Sequence, residues 1–341
     1  MVTIKDISKK CGVSAATVSK ALNGYGDIGE ETKKKIIKTA QEMNYFPNAA
    51  ARTLKKGHSN NIGIIFQDET DEQGGLTHEY FSIILNNAKI EAESSGYDIT
   101  FINKNVQGSF LEHARYRNFD GVLAVTAVFQ SPELTELVKS GFPLVSIDYN
   151  YDSHTCIVSD NVIGLYEMTQ YLISMGHRKI AFIHGENTSV TQKRISGYHR
   201  ALNESNIDVP DYYIKEALYH DPASTERRTD ELLKLRDRPT AIIFPDDVAY
   251  LGGLTAIRKR QLRIPEDIST AGYDGIKLSQ LIQPQLCTYH QDAETIGRIG
   301  MRKLIEQIEN PKLWIPEMIK VTRSEERRVG KECRSRWSPY H

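Results

Sequence analysis

Over residues 3–43 the apolar positions recur at helical spacing. Ile4, Ile7 and Cys11 lie three to four residues apart, Thr3 with Asp6 forms a helix-start signal ahead of them, and Gly12 breaks the run. Gly12-Val13-Ser14 reads as a tight turn in which Gly12 takes positive φ, Val13 plugs the core and Ser14 caps the next helix. That second helix is predicted over 15–22. It buries Val18, Ala21 and Leu22 and presents Ala15, Ala16, Ser19 and Lys20 outward. A third helix over 31–43 follows the loop at 25–29, with Ile36, Ile37, Ala40 and Met43 as its apolar stripe. Two short helices joined by a glycine turn, with small and basic residues exposed on the second, describe a helix-turn-helix whose second helix enters the major groove.

From residue 61 the pattern changes to buried apolar runs alternating with amphipathic stretches. Strands are predicted over 62–66, 99–102, 121–125, 143–148, 179–184, 240–244 and 268–272, and helices over 80–95, 134–139, 166–174, 194–204 and 251–258. Alternation of this kind, with Gly at the junctions, argues for parallel doubly wound sheets. The fold class is therefore an all-α helix-turn-helix head plus an α/β core.

Charge sharpens the division. Of the 341 residues, positions 1–58 carry 11 Lys/Arg against 5 Asp/Glu, whereas positions 59–322 carry 26 against 36, so a basic head precedes an acidic body. Such asymmetry suits a protein of which one part approaches phosphate and the rest stays off it, although a merely solvated face would explain either block alone. With 40% apolar residues the chain can build substantial cores. No run of about 18 apolar residues occurs, and positions 1–10 lack the features of a secretory signal, so a soluble intracellular protein without membrane partners is expected. Cys11, Cys156, Cys287 and Cys333 are far apart without metal-ligand or redox spacing and read as reduced thiols. Neither a metal nor a cofactor is expected.

The strings Thr3-Ile4-Lys5-Asp6-Ile7, Gly12-Val13-Ser14, Thr17-Val18-Ser19, Leu22-Asn23-Gly24 and Asn44-Tyr45-Phe46-Pro47-Asn48 closely resemble the head of the LacI/GalR family of bacterial transcription regulators. The body resembles that family's core, which is of periplasmic-binding-protein-like type. The matching strings are Asp160-Asn161 with Gly164, Gly176-His177-Arg178-Lys179-Ile180, Arg194 with Gly197-Tyr198, Pro239-Thr240-Ala241, Ile264-Pro265-Glu266-Asp267-Ile268 and Gly272-Tyr273-Asp274. The resemblance spans about residues 2–322. It implies a head over 1–46, a hinge helix and linker over 47–60 and an effector-binding core over 61–322. Within the core it implies two subdomains facing each other across a cleft, an N-subdomain of about 61–159 and 291–322 and a C-subdomain of about 160–290, with three chain crossings between them. It also implies a homodimer or higher oligomer on near-palindromic double-stranded operator DNA, in the bacterial cytoplasm at the nucleoid.

For DNA binding, the resemblance places Ala15 and Ala16 at the base-reading positions of the second helix, where they offer only methyl contacts. Lys20 is then the main polar reader or, equally, a phosphate contact. Lys5, Ser14, Thr17, Ser19, Asn23 and Thr32 are expected to position the phosphates. In the hinge, Asn48, Ala51, Leu54 and Lys55 are the expected contacts. Leu54 either wedges between base pairs in the minor groove or packs on the core.

For ligand binding, polar residues at predicted strand ends stand out. Gln67 and Asp68 end the first strand, Asp148 ends a later one, Asp246 follows Phe244, and Asp274 follows Gly272. Their family counterparts line the cleft, and Arg194 matches an arginine that grips ligand oxygens there. Carboxylates and one arginine suit a polyol, so a carbohydrate is the expected small-molecule effector, with Phe81 and Tyr219 as apolar or stacking walls. Considered singly, an Asp after a strand is more often a turn or cap residue and Phe81 more often core.

An enzyme would need a fingerprint that the sequence lacks: no glycine-rich nucleotide motif follows the first strand, no Gly-x-Ser-x-Gly elbow occurs and no metal-binding histidine spacing is present. The alternative is a cytoplasmic sugar-binding or carbohydrate-active protein without regulatory DNA binding, which leaves the basic head unexplained. Residues 323–341 form a polar, Arg-rich string without periodicity and are expected to be a non-native or disordered tail.

Overall fold

The computed structural model describes residues 2–23, 26–45, 58–67, 75–102, 108–127, 131–149 and 153–322. Asn48, Ala51, Leu54, Lys55, the hinge positions 47–57, Asp68, Cys333 and the tail at 323–341 lie outside them. The chain divides into two compact units, 1–59 and 60–341.

Among the described residues the first unit holds α1 (Ile4–Cys11), α2 (Ala15–Leu22) and α3 (Glu30–Glu42). Thr3 and Asp6 form a reciprocal capping box at the start of α1, and Gly12 ends that helix at φ +71°, a conformation that favours glycine. Ser14 caps α2 by accepting from the Thr17 amide at 3.0 Å. Ile7, Cys11, Val18, Ala21, Ile36 and Ala40 form the core, with Val13, Leu22 and Met43 half-buried around it. Ile37, expected in the apolar stripe of α3, instead faces solvent at 37% exposure, while Thr39 is buried. A helix this small can turn only a narrow face toward α1 and α2. Positions 36, 40 and 43 share that face, and 37 lies one step around it.

The second unit is built on two all-parallel sheets. The first joins β1 (Asn61–Phe66), β2 (Asp98–Phe101), β3 (Gly121–Thr126), β4 (Leu144–Ile147), β5 (Thr155–Ser159) and β11 (Met318–Val321) in the order β11-β5-β4-β3-β1-β2. The second joins β6 (Ile180–His184), β7 (Ile214–Glu216), β8 (Ala241–Ile243), β9 (Ser269–Asp274) and β10 (Cys287–His290) in the order β10-β9-β8-β6-β7. Buried Ile, Val, Leu and Ala on both faces of the central strands explain their continuous apolar runs. Helices cover those faces: α4 (Glu79–Ser94), α5 (Phe110–Tyr116), α6 (Pro132–Lys139), α7 (Asn161–Ser174), α8 (Ser189–Glu204), α9 (Pro222–Leu233), α10 (Tyr250–Lys259), α11 (Leu278–Leu281) and α12 (Ala293–Glu309).

Among the described residues the chain passes from the first sheet to the second after β5 and returns after β10. Helix α12 then lays Met301, Leu304, Ile305 and Ile308 into the core of the first sheet, and β11 pairs in parallel with β5 at that sheet's edge. The two halves also touch between these passages. Ile276, just past β9, is buried in the core of the first sheet, and the Lys277 amide donates to Glu79 Oε2 at 2.9 Å. Full burial of one isoleucine contributes roughly 1.5–3 kcal/mol, so this contact holds the start of α4 against the end of β9. None of the described helices is long and apolar enough to cross a membrane. Cys11, Cys156 and Cys287 are buried.

Candidate functional site

Two sets of polar residues stand apart from the packing just described, one in each unit. In the head, Ala15, Ala16 and Lys20 are exposed, Thr17 and Ser19 half-buried, along α2. Much of their hydrogen bonding is local. Ser14 Oγ and Thr17 Oγ1 lie 2.8 Å apart, and Asn23 Nδ2 donates to the Ser19 carbonyl at 2.7 Å. Lys20 is held by an ion pair to Asp27, a partner that sequence reasoning did not assign to it. Lys5 is exposed on α1 and Thr32 half-buried on α3. The α1 C-terminus carries Lys9 and Lys10, and Lys35 Nζ donates to the Cys11 carbonyl at 3.3 Å. This face offers cations, hydroxyls and methyls, a composition suited to a phosphate-lined groove.

In the second unit, the carboxyl ends of the strands converge where the two halves meet. Asp148 ends β4 at φ +60°, Asp274 ends β9 at φ +108°, and His220 sits after β7 at φ +57°. Non-glycine residues in this region cost backbone energy and cluster at functional sites. Arg194, on α8, is buried at 5% exposure and lies 3.7 Å above the Tyr273 ring and 5.4 Å from that of Tyr219. Its Nε donates to Asn161 Oδ1 at 2.9 Å and its Nη1 to the Pro245 carbonyl at 2.8 Å. Burial opposes its charge, but Tyr219, Tyr273, Asp274 and Asp148 outweigh that and hold the guanidinium firmly protonated.

The carboxylates are fixed differently from one another. Asp246 Oδ1 accepts the Val248 and Ala249 amides at 2.9 and 2.8 Å, and Oδ2 accepts the His220 amide at 2.8 Å. Although burial disfavours its charge, His220 and these amides keep the Asp246 carboxyl below the usual range. Asp274 accepts from Gln291 Nε2 at 2.7 Å, and burial followed by the charge of Asp246 pushes its carboxyl up. Asp247, bonded to Thr288 Oγ1 and the Ile276 amide, is pushed well up by burial and by Asp274. Burial likewise raises Asp148, which accepts from the Ser159 amide at 3.3 Å and from the Tyr80 hydroxyl at 3.4 Å.

Aromatic and imidazole rings close the site. His78, at the start of α4, has its ring centroid 4.0 Å from that of His220, and Phe81 lies 5.3 Å from His78 and 5.7 Å from His220. Tyr219 is held by Thr191, with 2.8 Å between the hydroxyl oxygens. Burial and His220 lower the His78 ring to about 3. His220 is raised, because Asp246 outweighs burial.

The structure thus brings Phe81, Asp148, Arg194, Tyr219, Asp246 and Asp274 to one locus. Gln67 lies at the end of β1, where its amide donates to the Thr126 carbonyl at 2.9 Å. Sequence reasoning missed His78, His220, Asn161 and Tyr273. Asp160-Asn161 and Tyr273-Asp274 stood inside conspicuous strings, but nothing local marked the two histidines.

Comparison with known proteins assigns the two units. Residues 3–48 match the model of the lacI family of bacterial regulatory proteins, and residues 169–327 match the periplasmic binding protein-like domain. The chain is 34% identical over 316 residues to the HTH-type transcriptional repressor PurR of Pasteurella multocida, covering 90% of this chain and 92% of that protein. This chain belongs to the LacI family. The probable HTH-type transcriptional repressor ExuR of Bacillus subtilis is 32% identical, with 94% of this chain and 96% of that protein covered. In fold, this LacI-family chain matches the lac repressor dimer bound to operator and the anti-inducer ONPF, with TM-score 0.78, 24% identity and coverage of 94% and 96%. It also matches the regulator CelR in complex with cellobiose, with TM-score 0.69, 22% identity and coverage of 94% and 97%. The LacI-family protein described here is accordingly a helix-turn-helix DNA-binding transcription regulator with a periplasmic-binding-protein-like ligand domain, and not an enzyme.

Proposed function

We propose that this LacI-family chain represses transcription from near-palindromic operators, as a cytoplasmic, nucleoid-bound homodimer or higher oligomer. A carbohydrate in the cleft of the core sets its operator affinity. The chain is organised for this as a head over 1–46, a hinge over 47–60 and a core over 61–322, with its two subdomains over about 61–159 with 291–322 and 160–290. One short recognition helix cannot supply enough affinity and specificity alone, which supports a symmetric dimer on two half-sites. Lys5, Ser14, Ala15, Ala16, Thr17, Ser19, Lys20, Asn23 and Thr32 would face the major groove and its phosphates, and Asn48, Ala51, Leu54 and Lys55 the minor groove.

The observation that carries the ligand half of the proposal is the gathering of buried Arg194, Asp246 and Asp274 with half-buried Asp148 where the strand ends converge. Carboxylates accept hydroxyl protons and a guanidinium donates to hydroxyl oxygens, so the set matches a polyol. Phe81 and Tyr219 supply apolar faces for a ring, and Gln67 and Asp68 complete the wall. The CelR complex with cellobiose supports a sugar as the ligand class. Coupling between pocket and operator is expected at about 1–3 kcal/mol, a 5–150-fold change in DNA affinity.

The test selects duplexes from a random pool with the full chain at fixed salt, then follows fluorescence anisotropy of the enriched site against a panel of sugars. An enriched inverted repeat, with affinity shifted by one sugar and not its epimers, is the expected outcome. Failure to enrich any duplex would overturn the repressor reading.

A further inference from the structure

Four donor groups in the cleft have a relation to one another that polyol recognition does not require. His78, His220, Asp246 and Asp274 each present one ligand atom, and the four atoms lie within 4.8 Å of one another. His78 comes from the first half, at the start of α4, and the other three from loops and strand ends of the second. Both ring nitrogens of His78 are buried without a hydrogen-bond partner among the described residues, on a side chain only 5% exposed. A buried, unpaired imidazole is costly to keep and asks for a missing ligand.

Charge points to what that ligand is. Asp148, Asp246, Asp247 and Asp274 are four buried or nearly buried carboxyls around one buried guanidinium, Arg194. The hydrogen bonds also leave coordination sites open. Among the described residues Asp246 Oδ2 accepts the His220 amide alone, and Asp274 binds Gln291 through Oδ1, so each carboxylate keeps an oxygen lone pair for a cation. Once the ion displaces their protons, two carboxylates balance its double positive charge and two neutral imidazoles complete a four-donor set.

We propose that His78, His220, Asp246 and Asp274 bind one divalent transition-metal ion of the zinc class, ligated from both halves of the core. Imidazole with carboxylate selects zinc and its neighbours over magnesium and calcium, which prefer all-oxygen sites. Tetrahedral donors about 2.0–2.2 Å from zinc stand roughly 3.3–3.6 Å apart, so the site needs only a contraction of about 1 Å. The ion draws the start of α4 toward the end of β9, and Asp148, Arg194, Phe81 and Tyr219 remain for an organic ligand beside it. That this ion acts on operator affinity rests on the repressor reading above; its binding does not.

The experiment titrates the full chain, stripped with a chelator, with zinc chloride in a calorimeter, with magnesium chloride in parallel. The expected result is one zinc per chain, no comparable magnesium binding, and at least about tenfold weaker zinc affinity in each of His78→Gln and His220→Gln. No zinc uptake by the native chain, or equal uptake by the double variant, overturns the proposal. Should the variants fail to fold by circular dichroism, cobalt loaded into the native chain must give the visible absorption of tetrahedral nitrogen and oxygen coordination, and its absence overturns the proposal equally. Zinc uptake is read without DNA, so its failure is distinct from a failure to select an operator.

Discussion

The head and the cleft hold their polar residues by opposite means. In the head, the polar side chains along α1 and α2 are exposed or half-buried, and their partners lie a few residues away: Thr3 with Asp6, Ser14 with Thr17, Asn23 with Ser19, Lys20 with Asp27. In the cleft the polar groups are buried and their partners are distant in sequence: Arg194 with Asn161 and Pro245, Asp274 with Gln291, His78 beside His220. Local, solvated pairs are individually weak and can be exchanged for phosphate at little cost. Buried pairs are interdependent, so removing one member strands the others in a low-dielectric setting.

The largest expected effect tests that interdependence. Arg194→Ala leaves Asp148 and Asp274 without their cation and should lower the unfolding free energy of the core by about 3–5 kcal/mol, measured by denaturant titration. A loss below about 1 kcal/mol would mean that the cleft is no more interdependent than the head. Next comes acid. His154, buried with its Nε2 2.7 Å from Ser146 Oγ, is pushed down by burial to about 4 from a usual 6.5. The unfolded chain therefore binds the extra proton first. The stabilisation is fully present above about pH 6.5 and is lost as pH falls toward 4, to a limit of roughly 3 kcal/mol. Thermal melts of native and His154→Gln protein should converge across that window. If the native midpoint stays flat from pH 6.5 to 4, the burial argument fails.

Smaller effects belong to the head. Ser14→Ala removes the α2 cap and should cost about 1 kcal/mol of head stability, seen as faster amide exchange in α2. Lys20→Gln should leave the thermal midpoint of the head unchanged, since the Asp27 pair is exposed and screened by solvent. If Lys20 leaves Asp27 for a phosphate, the same change weakens DNA binding evenly across sequences and reduces the salt slope by about 1. If it reads a base, specificity at one position relaxes while the slope holds.

The same contrast explains what the sequence disclosed. Capping residues and a glycine at positive φ act within one turn of chain, so both limits of α1 and the start of α2 were legible from Thr3, Gly12 and Ser14 alone. The central strands were legible because burial on both faces leaves an unbroken apolar run. Edge strand β7, reading Ile214-Lys215-Glu216, has no such run, since only its pairing to β6 makes it a strand. Helix α9 was missed although Asp221 caps it and Pro222 occupies its first turn, a start signal that was available. The carboxylates at strand ends were found through the family pattern, whereas the approach of His78 to His220 depends on Ile276 docking into the other half. No spacing rule encodes that event.

The topology of the core also fixes an order of assembly on the ribosome. Among the described residues, the second sheet has all its strands once His290 has emerged, but the first, begun at Asn61, lacks the hydrophobic cover of α12 and the edge strand β11 until Val321 is made. Nascent chains would thus finish the later-encoded half before the earlier one, the reverse of the usual N-to-C succession of folding domains.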